Sequence, residues 1–201
     1  MSQLGVLISG RGSNLQALIE AARAGALGGE IAVVISNVEA AGGLEQARRA
    51  GIPALFRDHR GRSREDYDGE LVTLLQQHHV SLVCLAGFLR RLSAAFISAF
   101  PGRIVNVHPS LLPAFPGLDA QRQAFQYGAK LSGATVHIVD EGLDSGPIVM
   151  QEAVAVRDDD TLESLAARIL EVEHRIYPRA VRALLEGRYR IEGRRVVLEA
   201  A

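Results

Sequence analysis

Short, nearly continuous apolar runs alternate along this chain with stretches whose apolar residues return every three or four positions. The runs at residues 6–8, 31–35, 82–86 and 104–108 predict strands of a parallel sheet, because both faces of such a sheet are covered and little in them is reserved for water. Between them, Leu15, Leu18, Ile19 and Ala22 fall at helical spacing, and residues 44–50 predict a helix stopped by Gly51. Residues 63–78 read as a helix with Glu65 and Asp66 in its first turn and Leu71, Val72, Leu74 and Leu75 inward. Shorter helices are expected at 93–100, before Pro101-Gly102, and at 120–127, before Gly128. Pro53 makes residues 52–56 an edge strand.

The second half continues the alternation. Residues 133–139 predict a strand with Thr135 and His137 on one side, and an acidic, glycine-rich loop separates it from the run at 148–150. Asp160-x-x-Glu163 reads as a capping box opening a long helix striped by Leu162, Leu165, Ile169, Val172 and Ile176, with Pro178 expected to kink or interrupt it. From Arg188, the alternation of Tyr189 and Ile191, then Val196 and Leu198, about Glu192-Gly193 predicts a terminal hairpin. The whole predicts an α/β fold: a doubly wound, mostly parallel twisted sheet with helices on both faces and a short C-terminal hairpin, its ligand cleft beyond the carboxyl ends of the strands. With no repeat, low-complexity tract or linker, one domain over residues 1–201 is expected.

Composition narrows the chemistry. A hydrophobic content of 48% and a net charge of -1 suit a chain that buries a proper core and do not suggest a nucleic-acid partner. No basic region precedes the first apolar run and no apolar stretch approaches the roughly 18 residues that span a bilayer, so an untargeted, soluble, cytoplasmic protein is expected. Cys84, the single cysteine, cannot form an internal disulfide and fits a reducing compartment. Lys130 is the only lysine, so a Schiff-base role could fall nowhere else, and no Gly-Lys-Ser/Thr phosphate loop exists.

Four sites gather along the predicted carboxyl edge: the glycine turn after one strand, Arg90 after another, Asn106 with His108 ending a third, and Asp144 after a fourth. Ser9-Gly10-Arg11-Gly12-Ser13-Asn14 joins a strand to a helix, an arrangement whose free amides attract an anion, with Arg11 adding a full charge. The third glycine of a dinucleotide fingerprint would fall at Leu15, and Ser36-Asn37 stands where its acidic residue would be, so a phosphomonoester suits this turn better than a pyrophosphate. Asn106 and His108, two apart on a strand, project to one side and can both donate to an oxygen developing negative charge, the geometry of acyl transfer. A turn capped by Asn106 and a satisfied loop histidine fit that spacing equally well. Asp144 offers a carboxylate from the acidic loop, though such loops commonly serve only to solvate a turn. Arg64, at the mouth of a helix, reads first as solvated surface.

Taken together, Ser9-Gly10-x-Gly12-Ser13-Asn14-Leu15, Leu85-Ala86-Gly87-Phe88, Asn106-Val107-His108-Pro109-Ser110-Leu111-Leu112-Pro113, Leu143-Asp144-x-Gly146-Pro147 and Glu173-His174-x-Ile176-Tyr177-Pro178 resemble the formyl-tetrahydrofolate transferase and hydrolase family, and within it the phosphoribosylglycinamide formyltransferases, from end to end. The resemblance implies a Rossmann-like formyltransferase fold. It implies transfer of the formyl group of 10-formyltetrahydrofolate to the amine of 5'-phosphoribosylglycinamide in de novo purine synthesis, by direct amine attack through a tetrahedral intermediate. Asn106 and His108 would stabilise the oxyanion, while Asp144 would orient His108 and relay the proton through water. Arg11, Gly12, Ser13, Asn14 and Leu15 would hold the ribose phosphate and Glu173 the ribose hydroxyls. Arg64, Leu89, Arg90, Arg91 and Leu92, with Asn106, Asp140, Glu141 and Asp144, would bind the folate. No metal is implied, and the expected partners are these two small molecules, with no nucleic acid or membrane and a monomeric or homodimeric state. Relatives acting on methionyl-tRNA, or deformylating the folate, carry added domains for which this length leaves no room; a formyltetrahydrofolate hydrolase is the alternative. Asp119 and Gln121 stand where many relatives carry histidines, and Arg91 where an aliphatic residue is usual.

Overall fold

A computed structural model describes residues 2–187 and 189–198. In chain order the elements are β1 (Ser2–Ile8), α1 (Ser13–Arg23), β2 (Gly29–Ser36), α2 (Gly42–Arg49), β3 (Ala54–Phe56), α3 (Arg64–Gln77), β4 (Leu82–Leu85), α4 (Ala94–Ala99) and β5 (Ile104–His108). There follow α5 (Ala120–Tyr127), β6 (Leu131–Ile138), β7 (Ile148–Ala155), α6 (Leu162–Leu185), β8 (Tyr189–Glu192) and β9 (Arg195–Leu198).

The strands form one mixed sheet in the order β3-β2-β1-β4-β5-β6-β7-β9-β8. From β3 to β5 every pairing is parallel; β6 then runs antiparallel to both β5 and β7. The chain winds outward from β1 to β3 and then returns to β4 on the other side of β1, so the strand order reverses there and a crevice opens beyond the carboxyl ends of β1 and β4. Alternation along the strands builds two cores. Val6, Ile8 and Cys84 face Leu15, Leu18, Leu44, Ile169 and Tyr177 of α1, α2 and α6, whereas Leu7, Val83 and Leu85 face Tyr67, Leu71, Leu75 and Phe96 of α3 and α4. The doubly wound expectation holds, with β3 at the edge and the β8–β9 hairpin at the other end; Arg188, where the hairpin reading began, lies outside the described residues.

Three local expectations change. The run at 148–150 is the start of an eight-residue strand: β7 is half-covered, so its outer positions are polar and the apolar signal fades before the ladder does. The cap of α6 is Thr161, which accepts from the Ser164 amide while the Ser164 hydroxyl accepts from the Thr161 amide. Asp160 instead holds Arg168 through both carboxylate oxygens, which leaves the cap to the next residue. Pro178 lies inside an unbroken α6, where buried Tyr177, Ala180 and Val181 press the helix onto the sheet on either side of it.

Candidate active site

The antiparallel register of β5 and β6 sets the centre of the site by placing Asn106 opposite His137 and His108 opposite Thr135. His137 Nδ1 lies 3.1 Å from the Ile138 carbonyl, which can only accept, so Nδ1 carries the proton. Burial, the main influence, lowers the pKa of His137 below the usual imidazole value, and the neutral ring presents a lone pair at Nε2. Asn106 Nδ2 donates to it at 3.2 Å, which fixes the amide and leaves its second hydrogen for a ligand. The Thr135 hydroxyl donates to the Ser110 carbonyl at 2.7 Å and accepts from the Leu112 amide at 3.0 Å, tying down the segment after β5.

Asp144 arrives from the loop between β6 and β7. Its Oδ2 is 3.5 Å from His108 Nδ1 and accepts from the Gly117 amide at 2.7 Å, and its Oδ1 is 3.8 Å from His137 Nε2. His108 Nε2 donates to the Phe115 carbonyl at 2.9 Å. Both imidazole nitrogens therefore face protein groups, and in this conformation Asn106, of the two, is the one that keeps an N–H free for an outside oxygen. Asp144 sits at φ 48°, a left-handed conformation that non-glycine residues keep only when their surroundings impose it.

At the start of α1 the cap is Gly12, at φ 82° and with no side-chain capping bond. A Cβ there would come 2.7 Å from the Gly43 Cα, so both conformation and space demand glycine. The first-turn amides of α1 consequently stay open to an anion. Asn14 Nδ2 donates at 2.6 Å to Glu173 Oε2 of α6, and Asn14 Oδ1 is buried without a partner. Burial pushes the Glu173 carboxyl up to about 7, against the opposing pull of the Asn14 bond. Leu15 is fully buried in the core, so only its backbone remains for the phosphate role expected of it.

These groups share one cleft of about 990 Å³, which Arg11, Ser13, Asn14, Asn106, His108, His137, Asp144 and Glu173 all line. Leu85, Leu92, Ile97 and Val139 give it apolar walls, and Leu89, Arg90 and Arg91 a rim. The Ser9 hydroxyl accepts from the Leu89 amide at 2.9 Å, and buried Asp68 accepts from the Ser93 amide at 2.6 Å, so the rim segment is pinned at both ends. The Arg90 guanidinium lies 4.8 Å from the Tyr67 ring centroid, its Nε buried and unpartnered.

A family model described as "Formyl transferase" matches residues 2–181. The chain belongs to the formyl transferase family. The trifunctional purine biosynthetic protein adenosine-3 of Drosophila melanogaster is 51% identical over 92% of this chain, which spans 14% of that protein's length. The phosphoribosylglycinamide formyltransferase of Escherichia coli is 43% identical over 92% of this chain and 88% of its own. The crystal structure of glycinamide ribonucleotide transformylase 1 from Symbiobacterium toebii superposes with a TM-score of 0.98 at 54% identity, covering 100% of this chain and 95% of that one.

In this formyl transferase the structure brings together most of the residues singled out in the sequence: Arg11, Ser13, Asn14, Leu89, Arg90, Arg91, Leu92, Asn106, Asp140, Glu141, Asp144, His108 and Glu173 all border the cleft. Asp119 and Gln121 border it too. Arg64 does not; it is exposed on the first turn of α3, outside the lining. His137 is the site residue that sequence reasoning passed over. Its strand parity with Thr135 was visible, but its partner Asn106 lies 31 residues away and is set by register. Among the described residues no three His, Cys, Asp or Glu side chains gather as a metal cluster, and no helix is long and apolar enough to cross a membrane.

Proposed function

We propose that this formyl transferase moves the formyl group of 10-formyltetrahydrofolate onto the amine of 5'-phosphoribosylglycinamide in purine synthesis, in the cytoplasm, with residues 1–201 acting as one formyltransferase domain. The observation that carries the reading is the convergence of Asn106, His108 and Asp144 in one cleft that also takes in residues of an anion-binding turn and an apolar wall. The chemistry of the lining fits both substrates. A sugar phosphate suits the open amides after Gly12 with Arg11, and the orphaned Asn14 Oδ1 beside Glu173 suits ribose hydroxyls. A flat pterin suits the walls of Leu85, Leu92, Ile97 and Val139, with Asp140, Glu141 and Leu89 alongside. The unpartnered Arg90 Nε and neighbouring Arg91 suit the acidic tail, and Arg64, outside the cleft, is left to whatever part of that tail projects into solvent.

When bound, the folate supplies the formyl carbon and a nitrogen that leaves with a proton. Asn106, held by His137, donates its free N–H to the formyl oxygen as the amine attacks and that oxygen gains charge. His108, in its protonated form, places a positive charge beside the same oxygen, and Asp144 holds the ring from Nδ1. Asp144 is also the base for the proton that the attacking amine sheds, passed by way of water to the departing nitrogen. No metal takes part in this scheme, and neither nucleic acid nor membrane is a partner; the chain acts as a monomer or homodimer.

A transfer assay with both substrates, followed on the folate chromophore, tests the reading. Formyl transfer that requires the phosphorylated amine supports it; formate release at the same rate without the amine would assign a hydrolase instead.

A further inference from the structure

The family match ends at residue 181, whereas the β8–β9 hairpin begins at Tyr189. The hairpin is joined to the body at several points. Ile148 of β7 pairs in parallel with Arg195, Tyr189 and Val196 pack on the α6 side of the core, and Ile191 Cδ1 lies 3.9 Å from the point where a Cβ on Gly102 would sit. From the hairpin's turn, Arg194 Nη2 donates to the carbonyl of Ser145, the residue that follows Asp144.

The rest of that loop is held partly from within and partly from the cleft, where Arg91 Nη2 donates to the Glu141 carbonyl at 3.4 Å and the Gly117 amide donates to Asp144 Oδ2 at 2.7 Å. Asp140 Oδ1 accepts from the Gly142 amide at 3.1 Å and from the Ser145 hydroxyl at 2.7 Å. Gly146 allows no side chain, since a Cβ there would meet the Ile138 carbonyl oxygen at 1.7 Å. The contacts among Asp140, Gly142 and Ser145 shape the turn from within, Arg91 holds its upstream leg and the Gly117 amide holds the carboxylate, which leaves the backbone downstream of Asp144 to the hairpin. The bond from Arg194 is the anchor that the hairpin supplies to the downstream leg, the backbone that carries Asp144. It bears on a residue adjacent to one in a left-handed conformation, where the geometry must be imposed from outside.

We propose that Arg194 is a positioning residue for Asp144, and that the C-terminal hairpin, through the Arg194–Ser145 bond, sets the approach of the Asp144 carboxylate to His108. The catalytic part of this inference rests on the proton-transfer role given to Asp144; the anchoring of the loop does not. A displacement of about 1 Å in a reacting group costs up to a hundredfold in rate, so a modest relaxation of the loop is visible in turnover.

The test uses the full chain as wild type, Arg194→Ala and Arg194→Lys, reading kcat, KM for the phosphorylated amine, thermal midpoint and hydrogen exchange of the peptide covering residues 140–147. Arg194→Ala is expected to lower kcat about tenfold while KM for the amine stays within about twofold, because the anion-binding turn belongs to the β1–α1 connection and not to the anchored loop. Exchange rises in 140–147 while the thermal midpoint hardly moves, and Arg194→Lys, which still donates to the carbonyl, recovers most of kcat. The proposal is overturned by turnover and exchange unchanged in Arg194→Ala, by a loss spread evenly over kcat, KM and thermal midpoint, or by a lysine variant no better than alanine. If the wild type transfers no formyl group yet exchange in 140–147 still rises on removal of Arg194, the anchor stands and the assigned reaction falls.

Discussion

Asn14 of α1 and Glu173 of α6, 159 residues apart, meet through a 2.6 Å hydrogen bond, both side chains buried. The bond joins the anion-binding turn to the long helix and lies where the proposed ribose would sit. It also makes the fold sensitive to pH.

Burial raises the Glu173 carboxyl from 4.5 to about 7, so between those values the folded protein binds a proton that the unfolded chain does not. Stability from this group is therefore greatest in the acid part of that window and declines as pH climbs through it, by about 3 kcal/mol at most. Glu173→Gln, permanently neutral, is expected to unfold at higher urea concentration than wild type at pH 8 and at a similar concentration at pH 5. Urea melts at the two values check the sign.

Removing the groups at the reacting carbonyl should be felt in turnover. Asn106→Ala is expected to lower kcat at least about a hundredfold, the usual cost of losing one preorganised donor to a developing charge, and His108→Ala, which removes the charge proposed beside that oxygen, by a similar factor. Steady-state kinetics on variants whose circular dichroism matches wild type decides this, and near-normal turnover in either contradicts the assignment.

His137 holds Asn106 and is itself kept neutral by burial. Replacement by phenylalanine frees the Asn106 amide, and kcat is expected to fall about tenfold, less than for loss of the amide itself. Because the folded ring resists protonation, its contribution to stability is present above the ordinary imidazole value of 6.5 and is lost as pH falls below it. The His137→Phe variant should lack that acid-side loss in thermal melts recorded across pH 5 to 7.

Tyr177 is fully buried, and its hydroxyl is shared by the carbonyl of Leu85, the register partner of Asn106, at 2.9 Å and that of Val105, which precedes Asn106, at 3.2 Å. Tyr177→Phe keeps the ring and removes the donor. It should destabilise the fold by about 1 to 2 kcal/mol, measured by denaturant unfolding, with a smaller effect on kcat than any substitution in the cleft.

Much of this was legible along the chain because it is local. Apolar runs and helical spacing marked the elements from 6–8 to the C-terminal hairpin, Pro53 marked the edge strand, and the glycine turn at 9–14 marked the open helix start, each depending only on near neighbours in sequence. Where two local signals competed, as at Asp160 and Thr161, the choice depended on Arg168 one side and Ser164 the other, and spacing alone could not make it. The motifs around Asn106, His108 and Asp144 pointed to the chemistry proposed for them. What the tertiary structure decided is everything that depends on register and long-range approach: the pairing of Asn106 with His137, the occupation of both His108 nitrogens by Phe115 and Asp144, the burial that lifts Glu173, and the reach of Arg194 to Ser145. The physical reason is that side-chain type and period are written residue by residue, whereas a hydrogen bond across 31 or 159 positions exists only once the sheet has paired and the helices have packed on it.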